Sequence, residues 1–503
     1  MQNSKVKNIV IVGGGTAGWM TAASLAHNLK IDGLKISLIE SEEIGTVGVG
    51  EATIPSIRSF NDSLGIDEVE FLQKTQASFK LGIEFRDWRE LGSSFFHPFA
   101  DYGIDLAGIP FHHHLNRLRS TGQNVDIADF SFPTQLAKQN RFAQPHPNPP
   151  SPLADYGYAY HFDAGRYALF LRNYAEQRGV VRIEGKIEHI EQNDNGDVAT
   201  LTTESGQSVS GELFIDCSGF RGLLIEQTLA TGYDDWRHWL PCDRAIAVQS
   251  EMGGEITPYT RTTAKDSGWQ WRIPLQHRTG NGYVYASDFC TPDRAEKTLL
   301  DGLDGAPITE PRKFEFVTGK RKNIWNKNVF AIGLSGGFLE PLESTSISLI
   351  QTGISKLLNF FPYHGINEWD QAEVNRQHSH EFERIRDFLI LHYKATKRDD
   401  SPFWRHCQSM EIPETLQLKM ALFENRGHVM MLEPEAFERD SWVTMYCGYE
   451  KYAADYDRRA DTISDNELNA QLEKMKQSIA SAASQPLSHS EFIRRHCAAP
   501  KPD

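Results

Sequence analysis

The chain has 503 residues, of which 40% are apolar and 24% are charged, and its formal net charge is −15. This composition is typical of a globular protein, and an acidic chain without a basic face is unsuited to nucleic acid. The apolar runs are too short for a membrane span and the first residues lack signal-peptide architecture, so we expect a cytoplasmic protein without membrane contact. Six scattered cysteines and the adjacent His112, His113 and His114 lack metal-ligand spacing, so we expect no metal site.

The first elements predict a βαβ unit. A buried strand at residues 7–12 runs into Gly13-Gly14-Gly15-Thr16-Ala17-Gly18 and a helix to about residue 27, and a second strand covers residues 35–40. The motif Gly13-x-Gly15-x-x-Gly18 lets the backbone approach a pyrophosphate, and the helix start supplies amide donors. Glu40 closes the second strand, where an acid holds a ribose hydroxyl and disfavours a 2′-phosphate. The pattern predicts binding of FAD or NAD.

The rest of the chain continues as α/β structure and then becomes helical. Residues 182–201 are predicted to form a hairpin with its turn at 193–196, and residues 213–216 form a short buried strand. From about residue 367, amphipathic helices are predicted at 373–393, 411–424 and 466–483. We therefore predict an α/β (α+β) protein, with a core at residues 1–365 and a mainly helical C-terminal region at residues 366–503.

Two further glycine-rich turns, at residues 45–53 and 335–337, predict that more of the backbone approaches an extended cofactor such as FAD. The predicted cofactor-binding residues are Gly13, Gly15, Thr16, Ala17, Gly18, Glu40, Gly50, Glu51, Ala52 and Leu334.

Four separated motifs carry a more specific resemblance. They are GGGTAGW at residues 13–19, GVGEATIP at 48–55, WQWRIP at 269–274, which matches a WxWxIP signature, and FLEPLEST at 338–345. In this order they resemble the flavin-dependent tryptophan halogenases, from residue 1 to about residue 440. The resemblance implies the fold of single-component flavin monooxygenases, in which a Rossmann-like FAD domain is interwoven with a β-sheet substrate region. The helical C-terminal part then completes the substrate pocket.

The same resemblance implies the cofactors and partners of the enzyme. It would draw FADH2 from a separate NAD(P)H-dependent flavin reductase, and it would use O2 and a halide ion, chloride or bromide, to halogenate a small aromatic substrate. Whether the enzyme assembles as a homodimer stays open.

Trp269 and Trp271 lie on one face of their predicted strand. Composition alone favours a core strand with its aromatic residues turned inward. The resemblance implies that the two rings shield the flavin from the organic substrate, which leaves halide as the species that reacts there.

Lys80 and Glu343 are the predicted catalytic residues. Lys80 falls on the polar face of an alternating strand at residues 78–85, which by itself favours a solvated lysine. Glu343 precedes a helix with a regular apolar face, where Ser344 or Thr345 would act as N-cap and Glu343 would be favoured by the helix dipole. The resemblance implies that Lys80 receives hypohalous acid, as a haloamine or by hydrogen bonding. It implies that Glu343 takes the ring proton, with Ser344 as a supporting substrate contact.

The same helix start is a predicted halide site, because amides at a helix N-terminus attract anions. The resemblance places the halide on Thr345 and Ser346. Because related enzymes usually have glycine at the second position, we expect an altered pocket that favours bromide. His97 and Phe99, in an H-x-F segment, and Trp442 would contact the substrate. For all three residues, ordinary packing of buried aromatic rings stays open as the alternative to a substrate contact.

These observations predict an FADH2-dependent halogenase that acts on an electron-rich, indole-type substrate. Residues 441–450 do not match the clamp that free-tryptophan halogenases use, so tryptophan, indole and larger indole-bearing molecules all stay open. Two alternatives are an aromatic-hydroxylating flavin monooxygenase and a non-catalytic FAD-binding protein.

Overall fold

The computed structural model describes residues 6–43 and 51–500. The chain divides into two compact units, each built from three segments. Unit 1 comprises Met1–Ala77, Phe162–His238 and Glu315–Phe382, and unit 2 comprises Ser78–His161, Trp239–Phe314 and Glu383–Asp503. Each unit thus combines stretches that are distant in sequence, and the division at residue 365 stays a prediction.

Unit 1 is built on a six-stranded sheet in which five neighbouring strands are parallel. In spatial order the strands are Trp325–Asn326, Val329–Ala331, Leu213–Asp216, Asn8–Val12, Lys35–Glu40 and Val181–Glu184. Ile9, Val10, Ile11 and Val12 are each at most 3% exposed, as expected for a central parallel strand covered on both faces. The helix Thr16–Asn28 joins the neighbouring parallel strands Asn8–Val12 and Lys35–Glu40, which confirms the predicted βαβ start.

The predicted hairpin is present, although it begins later than expected. Ile187–Gln192 pairs with Val198–Thr203, and the amide of Gly196 donates to the carbonyl oxygen of Asn193 at 2.7 Å in the predicted turn. Val181–Glu184, which was predicted to belong to the hairpin, instead pairs in parallel with Lys35–Glu40. Unit 1 also contains a small sheet of Tyr233–Asp235, Gly319–Arg321 and Gly337–Phe338, and Ser208–Ser210 extends the hairpin.

Five helices lie wholly within unit 1: Thr16–Asn28, Ser56–Ser63, Glu68–Lys74, Ala164–Glu176 and Ser346–Asn359. In Ser346–Asn359 the residues at helical spacing, Ile347, Ile350, Ile354 and Leu357, are all buried. This apolar face is the one that the sequence pattern predicted, and its burial fixes the helix whose first residues belong to the candidate halide site.

Unit 2 is built on a larger, mostly antiparallel sheet. Six of its strands belong wholly to this unit, in the spatial order Arg244–Ser250, Thr279–Tyr285, Gly268–Pro274, Thr260–Lys265, Gly82–Arg86 and Ser94–Pro98. The pair Thr260–Lys265 and Gly82–Arg86 is parallel, and the other neighbouring pairs in this series are antiparallel. A separate antiparallel pair joins Ser78–Lys80 to Ala159–Phe162.

The C-terminal part is helical, as predicted. The predicted helices correspond to Glu368–Lys394, Glu414–Arg426 and Asp465–Ala483, and the C-terminal part also contains Pro402–Ser409, Arg439–Gly448 and His489–His496. Unit 2 has three earlier helices, Phe111–Ser120, Phe132–Lys138 and Pro292–Asp301. Among the helices that the structure describes, none is both long enough and apolar enough to cross a bilayer. All six cysteines are buried as thiols.

Candidate active site

The glycine turn after the first strand has no room for side chains. Gly13 has a φ of +107°, and a Cβ there would lie 2.4 Å from the carbonyl oxygen of Cys217. A Cβ on Gly18 would lie 1.8 Å from the carbonyl oxygen of Gly13. The helix that follows begins at Thr16 with Gly15 as its N-cap, and no side chain caps it. The amides of its first turn are therefore left for an external acceptor, which fits a pyrophosphate.

Glu40 is fixed beside this turn. Its Oε1 accepts a hydrogen bond from Nε of Arg182 at 2.5 Å, and its Oε2 accepts one from Nε1 of Trp19 at 3.3 Å. A Cβ on Gly14 would lie 1.4 Å from the same Oε2, so the carboxylate occupies the space next to the glycine turn. A carboxylate can accept further hydrogen bonds, so this position fits the predicted contact with a ribose hydroxyl. Sequence reasoning missed Arg182, which reaches Glu40 from a neighbouring parallel strand.

Two other predicted cofactor segments also belong to unit 1. Leu334 lies in the short turn Gly333–Ser335, where a Cβ on Gly333 would lie 2.8 Å from Cβ of Ala17. The turn is therefore packed against the start of the first helix. Glu51 and Ala52 form a two-residue strand, whereas Gly50 lies outside the described residues.

Glu51 is half-buried, and burial, followed by repulsion from Asp163, raises the pKa of its carboxyl to about 7. The folded state therefore binds this proton more tightly than the unfolded state does. The ionised carboxylate of Glu51 therefore destabilises the folded state. This effect is absent at pH values below the ordinary carboxyl pKa and grows until the pH exceeds about 7.

We expect Glu51→Gln to melt at the same temperature as the wild type near pH 4.5 and about 1–3 °C higher above pH 7.5, because only the ionised carboxylate is penalised. Thermal unfolding across this pH range, without added FAD, measures the difference. Glu188→Gln, at an exposed position, is the control. A pH-independent difference would contradict the expectation.

Lys80 is fully buried in unit 2, so the interpretation of a solvated lysine on a polar strand face is wrong. The predicted continuous strand is interrupted at Leu81, whose amide donates to the carbonyl oxygen of Pro258 at 2.7 Å. Ser78–Lys80 and Gly82–Arg86 consequently belong to different sheets, and the alternation does not continue across the break. Nζ of Lys80 lies 5.1 Å from the centre of the Phe99 ring. This is a distance at which cation–π attraction stabilises an ammonium.

The tryptophan strand Gly268–Pro274 is buried along its whole length. Trp269 and Trp271 face the same side, with their ring centres 6.1 Å apart. A Cβ on Gly282, on the adjacent strand, would lie 2.1 Å from the Trp271 ring, so this glycine makes space for the indole. Trp269 also packs on Trp88 at 6.4 Å. Core packing of these tryptophans is thereby established, and a shielding role is compatible with it.

The opposite face of this strand carries charge. Arg272 lies on this face, directly opposite Arg261 on the neighbouring strand. The carboxylate of Asp304 pairs with Arg272 at 2.7 Å and with Arg261 at 2.9 Å. These groups line a cavity of about 310 Å³. Because arginines and acids line it, this cavity is not the predicted aromatic substrate pocket.

His97 belongs to an aromatic cluster formed within unit 2. Its ring centre lies 6.0 Å from that of Phe388 and 6.5 Å from that of Phe437, and these two phenylalanines are stacked at 3.9 Å. Trp442 packs edge-on against Phe388 at 5.0 Å. Two predicted substrate contacts, His97 and Trp442, are thus joined by two residues that sequence reasoning missed. Phe388 carried no motif, since it lies inside a long predicted helix.

A buried ion pair lies against the Trp442 ring of this cluster. Nζ of Lys419 is 3.9 Å from the centre of the Trp442 ring and donates to the carboxylate of Glu435. Lys419 is 1% exposed, and burial lowers its pKa from the ordinary value. In contrast, Tyr446 stacks on Phe423 at 3.9 Å, which is ordinary packing between helices.

Glu343 ends the short turn Pro341–Glu343 in unit 1 and is 2% exposed. Ser344 follows in the left-handed region with a φ of 60°, and Thr345 is the N-cap of Ser346–Asn359. Thr345 was one of the two predicted N-cap residues, although the structure shows no side-chain hydrogen bond at this cap. Oγ1 of Thr345 is instead buried without a hydrogen-bond partner. Glu343 and Lys80 belong to different units, so their pairing stays a prediction.

The glycine turn, the acidic strand end and the helix start define a dinucleotide-binding α/β protein, and comparisons with known proteins specify its class. The family model for tryptophan halogenase matches residues 8–465. The chain is 35% identical over 440 residues to tryptophan 6-halogenase SttH of Streptomyces toxytricini, covering 83% of each chain.

Solved structures agree. BrvH, a flavin-dependent halogenase from Brevundimonas sp. BAL3, superposes with a TM-score of 0.95 at 44% identity, covering 99% of this chain and 100% of that one. Xcc4156, a flavin-dependent halogenase from Xanthomonas campestris, gives 0.95 at 45% identity with the same coverage. The chain belongs to the tryptophan halogenase family of flavin-dependent enzymes. The predicted fold class is confirmed, and the assignment favours halogenation over hydroxylation or mere FAD binding.

Proposed function

We propose that this halogenase transfers an electrophilic halogen to an indole-type aromatic substrate through Lys80 and Glu343. The observation that carries the proposal is the complete burial of Lys80 beside Phe99, in the same unit as the tryptophan strand. A buried ammonium is costly unless its surroundings offer compensating interactions. A fully enclosed lysine beside an aromatic ring therefore fits an amine that takes part in the reaction, whereas a lysine that serves solubility would be exposed.

FADH2, O2 and a chloride or bromide ion supply hypohalous acid when FAD is bound. The residues that would hold FAD are the glycine turn, Glu40, Glu51, Ala52 and Leu334, all of unit 1. Because flavin-dependent halogenases in general need a flavin reductase, we propose that a separate NAD(P)H-dependent flavin reductase delivers the reduced flavin. We further propose that both enzymes act in the cytoplasm and that this chain can form a homodimer.

The proposed roles divide the chemistry among a few side chains. Trp269 and Trp271 keep the organic substrate away from the flavin. The amine of Lys80 takes the halogen from hypohalous acid as the oxygen–halogen bond breaks and hydroxide leaves. The ring carbon then attacks this halogen as the nitrogen–halogen bond breaks, which returns the free amine. Glu343 takes the proton that the ring loses, so that the ring regains its aromatic electrons. Ser344 supports the bound substrate.

The substrate is proposed to lie against His97, Phe99 and Trp442. The cluster that these residues form with Phe388 and Phe437 offers ring faces and edges, which suit a flat, electron-rich aromatic. No group in this cluster is committed to an amino acid carboxylate. We therefore propose an indole-type ring without a required amino acid part, and tryptophan, indole and larger indole-bearing molecules are all candidates.

Incubation with a flavin reductase, FAD, NADH, bromide and a panel of aromatic compounds tests the function. Mass spectrometry should show the isotope pattern of a monobrominated product, and omission of bromide should remove it. A hydroxylated product in place of the brominated one would contradict the proposal.

We expect bromide to give a higher initial rate than chloride, by about 3- to 10-fold. At Thr345 and Ser346 the first amides of a 14-residue helix are proposed to hold the halide. A serine side chain where related enzymes usually have glycine leaves less room for water around the bound halide, and bromide loses its hydration more readily than chloride. Ser346→Gly should shift the ratio of rates toward chloride by about 1 kcal/mol, or roughly fivefold.

Initial rates at saturating halide measure this ratio. Ser348→Gly, two residues further along the helix and on its other side, controls for the effect of glycine on helix stability. A clear preference of the wild type for chloride would refute the idea.

A further inference from the structure

A continuous chain of hydrogen bonds runs through the interior of unit 2 at His161. Oγ of Ser78 donates to the carbonyl oxygen of Pro274 at 2.6 Å and lies 3.2 Å from Nδ1 of His161. On the other side of the ring, Nε2 of His161 lies 2.9 Å from Oγ1 of Thr260. Ser78 and His161 are 0% exposed and Thr260 is 3% exposed.

The donors and acceptors in this chain can be assigned by counting hydrogens. A serine hydroxyl has one hydrogen, and that of Ser78 goes to Pro274, so Ser78 must accept from Nδ1–H of His161. Nε2 of the neutral ring is then an acceptor, and Thr260 donates to it. The neutral Nδ1–H form of His161 satisfies every group in this chain of hydrogen bonds.

This chain of hydrogen bonds joins the two strands that carry the proposed halogen chemistry of unit 2. Ser78 lies in the short strand Ser78–Lys80, two residues before Lys80, and is directly opposite His161 in the strand pairing. Pro274 is the last residue of the strand that bears Trp269 and Trp271. Ser78 therefore connects the strand of the lysine to the end of the strand of the tryptophans, and Nδ1–H of His161 holds the Ser78 hydroxyl in the orientation that makes this bond.

Burial and the neighbouring charges favour the neutral ring of His161. Burial lowers the pKa of His161 well below its ordinary value, and the nearby positive charge of Lys80 lowers it further. His489 and Arg272 act in the same direction. A proton on His161 would place a second buried cation near Lys80 and would remove the acceptor that Thr260 uses.

We propose that His161 is a positioning residue for Lys80. By orienting the Ser78 hydroxyl toward Pro274, His161 holds the lysine strand in register with the tryptophan strand. This inference rests on the proposed role of Lys80. The strand Ser78–Lys80 has only three residues, so few ladder hydrogen bonds fix it. The side-chain bridge from Ser78 to His161 and Pro274 adds a restraint that the short strand cannot supply by itself.

Loss of the bridge should uncouple the halogen transfer from the oxidation of flavin. For His161→Leu we expect product per FADH2 oxidised to fall about 10- to 100-fold, because small displacements of a reacting group cost rates of that size. Hypohalous acid trapped in solution should rise correspondingly. The rate of FADH2 oxidation and the KM for the aromatic substrate should change less than twofold.

Conservative replacement should restore much of the coupling. In His161→Asn the side-chain NH2 can still donate to Ser78, so product per FADH2 should recover to within about threefold of the wild type. Ser78→Ala, which removes the bond to Pro274 itself with a small change in volume, should lose at least as much coupling as His161→Leu. This second variant decides the matter if His161→Leu does not fold.

Two controls distinguish the possible failures. His114 is another fully buried histidine of unit 2, bonded through Nε2 to a carbonyl oxygen at 3.1 Å, and His114→Leu should leave the coupling ratio unchanged. Full coupling in both His161→Leu and Ser78→Ala would overturn the positioning role. Full coupling in Lys80→Met would instead overturn the proposed function itself.

Discussion

Lys80→Met is expected to lower the rate of halogenated product by about 10³-fold or more, while FADH2 continues to be oxidised in the presence of the protein. Methionine keeps the length and apolar stem of the side chain but has no amine to receive the halogen. Removal of a group that takes part directly in the chemistry costs far more than removal of one that only binds.

The measurement combines product mass with oxygen consumption and a trap for hypohalous acid. In Lys80→Met the trap should collect most of the oxidising equivalents that the wild type delivers to the aromatic ring. Lys394→Met is a suitable control, because Lys394 is a partly buried lysine of the same unit whose ammonium donates to the carbonyl oxygens of Gln408 and Met410. Product formation by Lys80→Met at the wild-type rate would exclude a role for this amine in halogen transfer.

The sequence was most informative where a backbone constraint sets the residue type. The glycine turn could be predicted because Gly13 and Gly18 sit where a Cβ would meet a carbonyl oxygen within 2.4 Å. The acid at Glu40 could be predicted because its position follows from the length of a βαβ unit. The amphipathic face of Ser346–Asn359 could be predicted because one buried side imposes a regular spacing.

The surroundings of Lys80 could not be predicted in this way. Alternation assigns a side chain to a face only while a strand continues, and the break at Leu81 depends on a hydrogen bond to Pro258, which is distant in sequence. The aromatic cluster at His97 likewise needs Phe388 and Phe437 from separate C-terminal segments. Only the resemblance to known halogenases pointed to Lys80, since residue patterns alone favoured solvent.

Glu343→Gln is expected to lower kcat about 10²- to 10³-fold, which is the size of contribution that a general base makes. The amide keeps the shape of the buried side chain, which is 2% exposed, but it cannot take the ring proton. Oxidation of FADH2 and the transfer of halogen as far as Lys80 should continue. The KM for the aromatic substrate should change little, because the proton is lost only after the substrate has bound.

A kinetic isotope effect separates this role from a structural one. If proton removal becomes the slow step in Glu343→Gln, a substrate that carries deuterium at the halogenated carbon should react several-fold more slowly than the protiated one. Glu340→Gln is the matched control, since Glu340 is 0% exposed and lies in the same segment, and it should show no such effect. A variant with low activity and no isotope effect would mean that the carboxylate of Glu343 serves only to maintain the site. The base would then have to be sought among other groups.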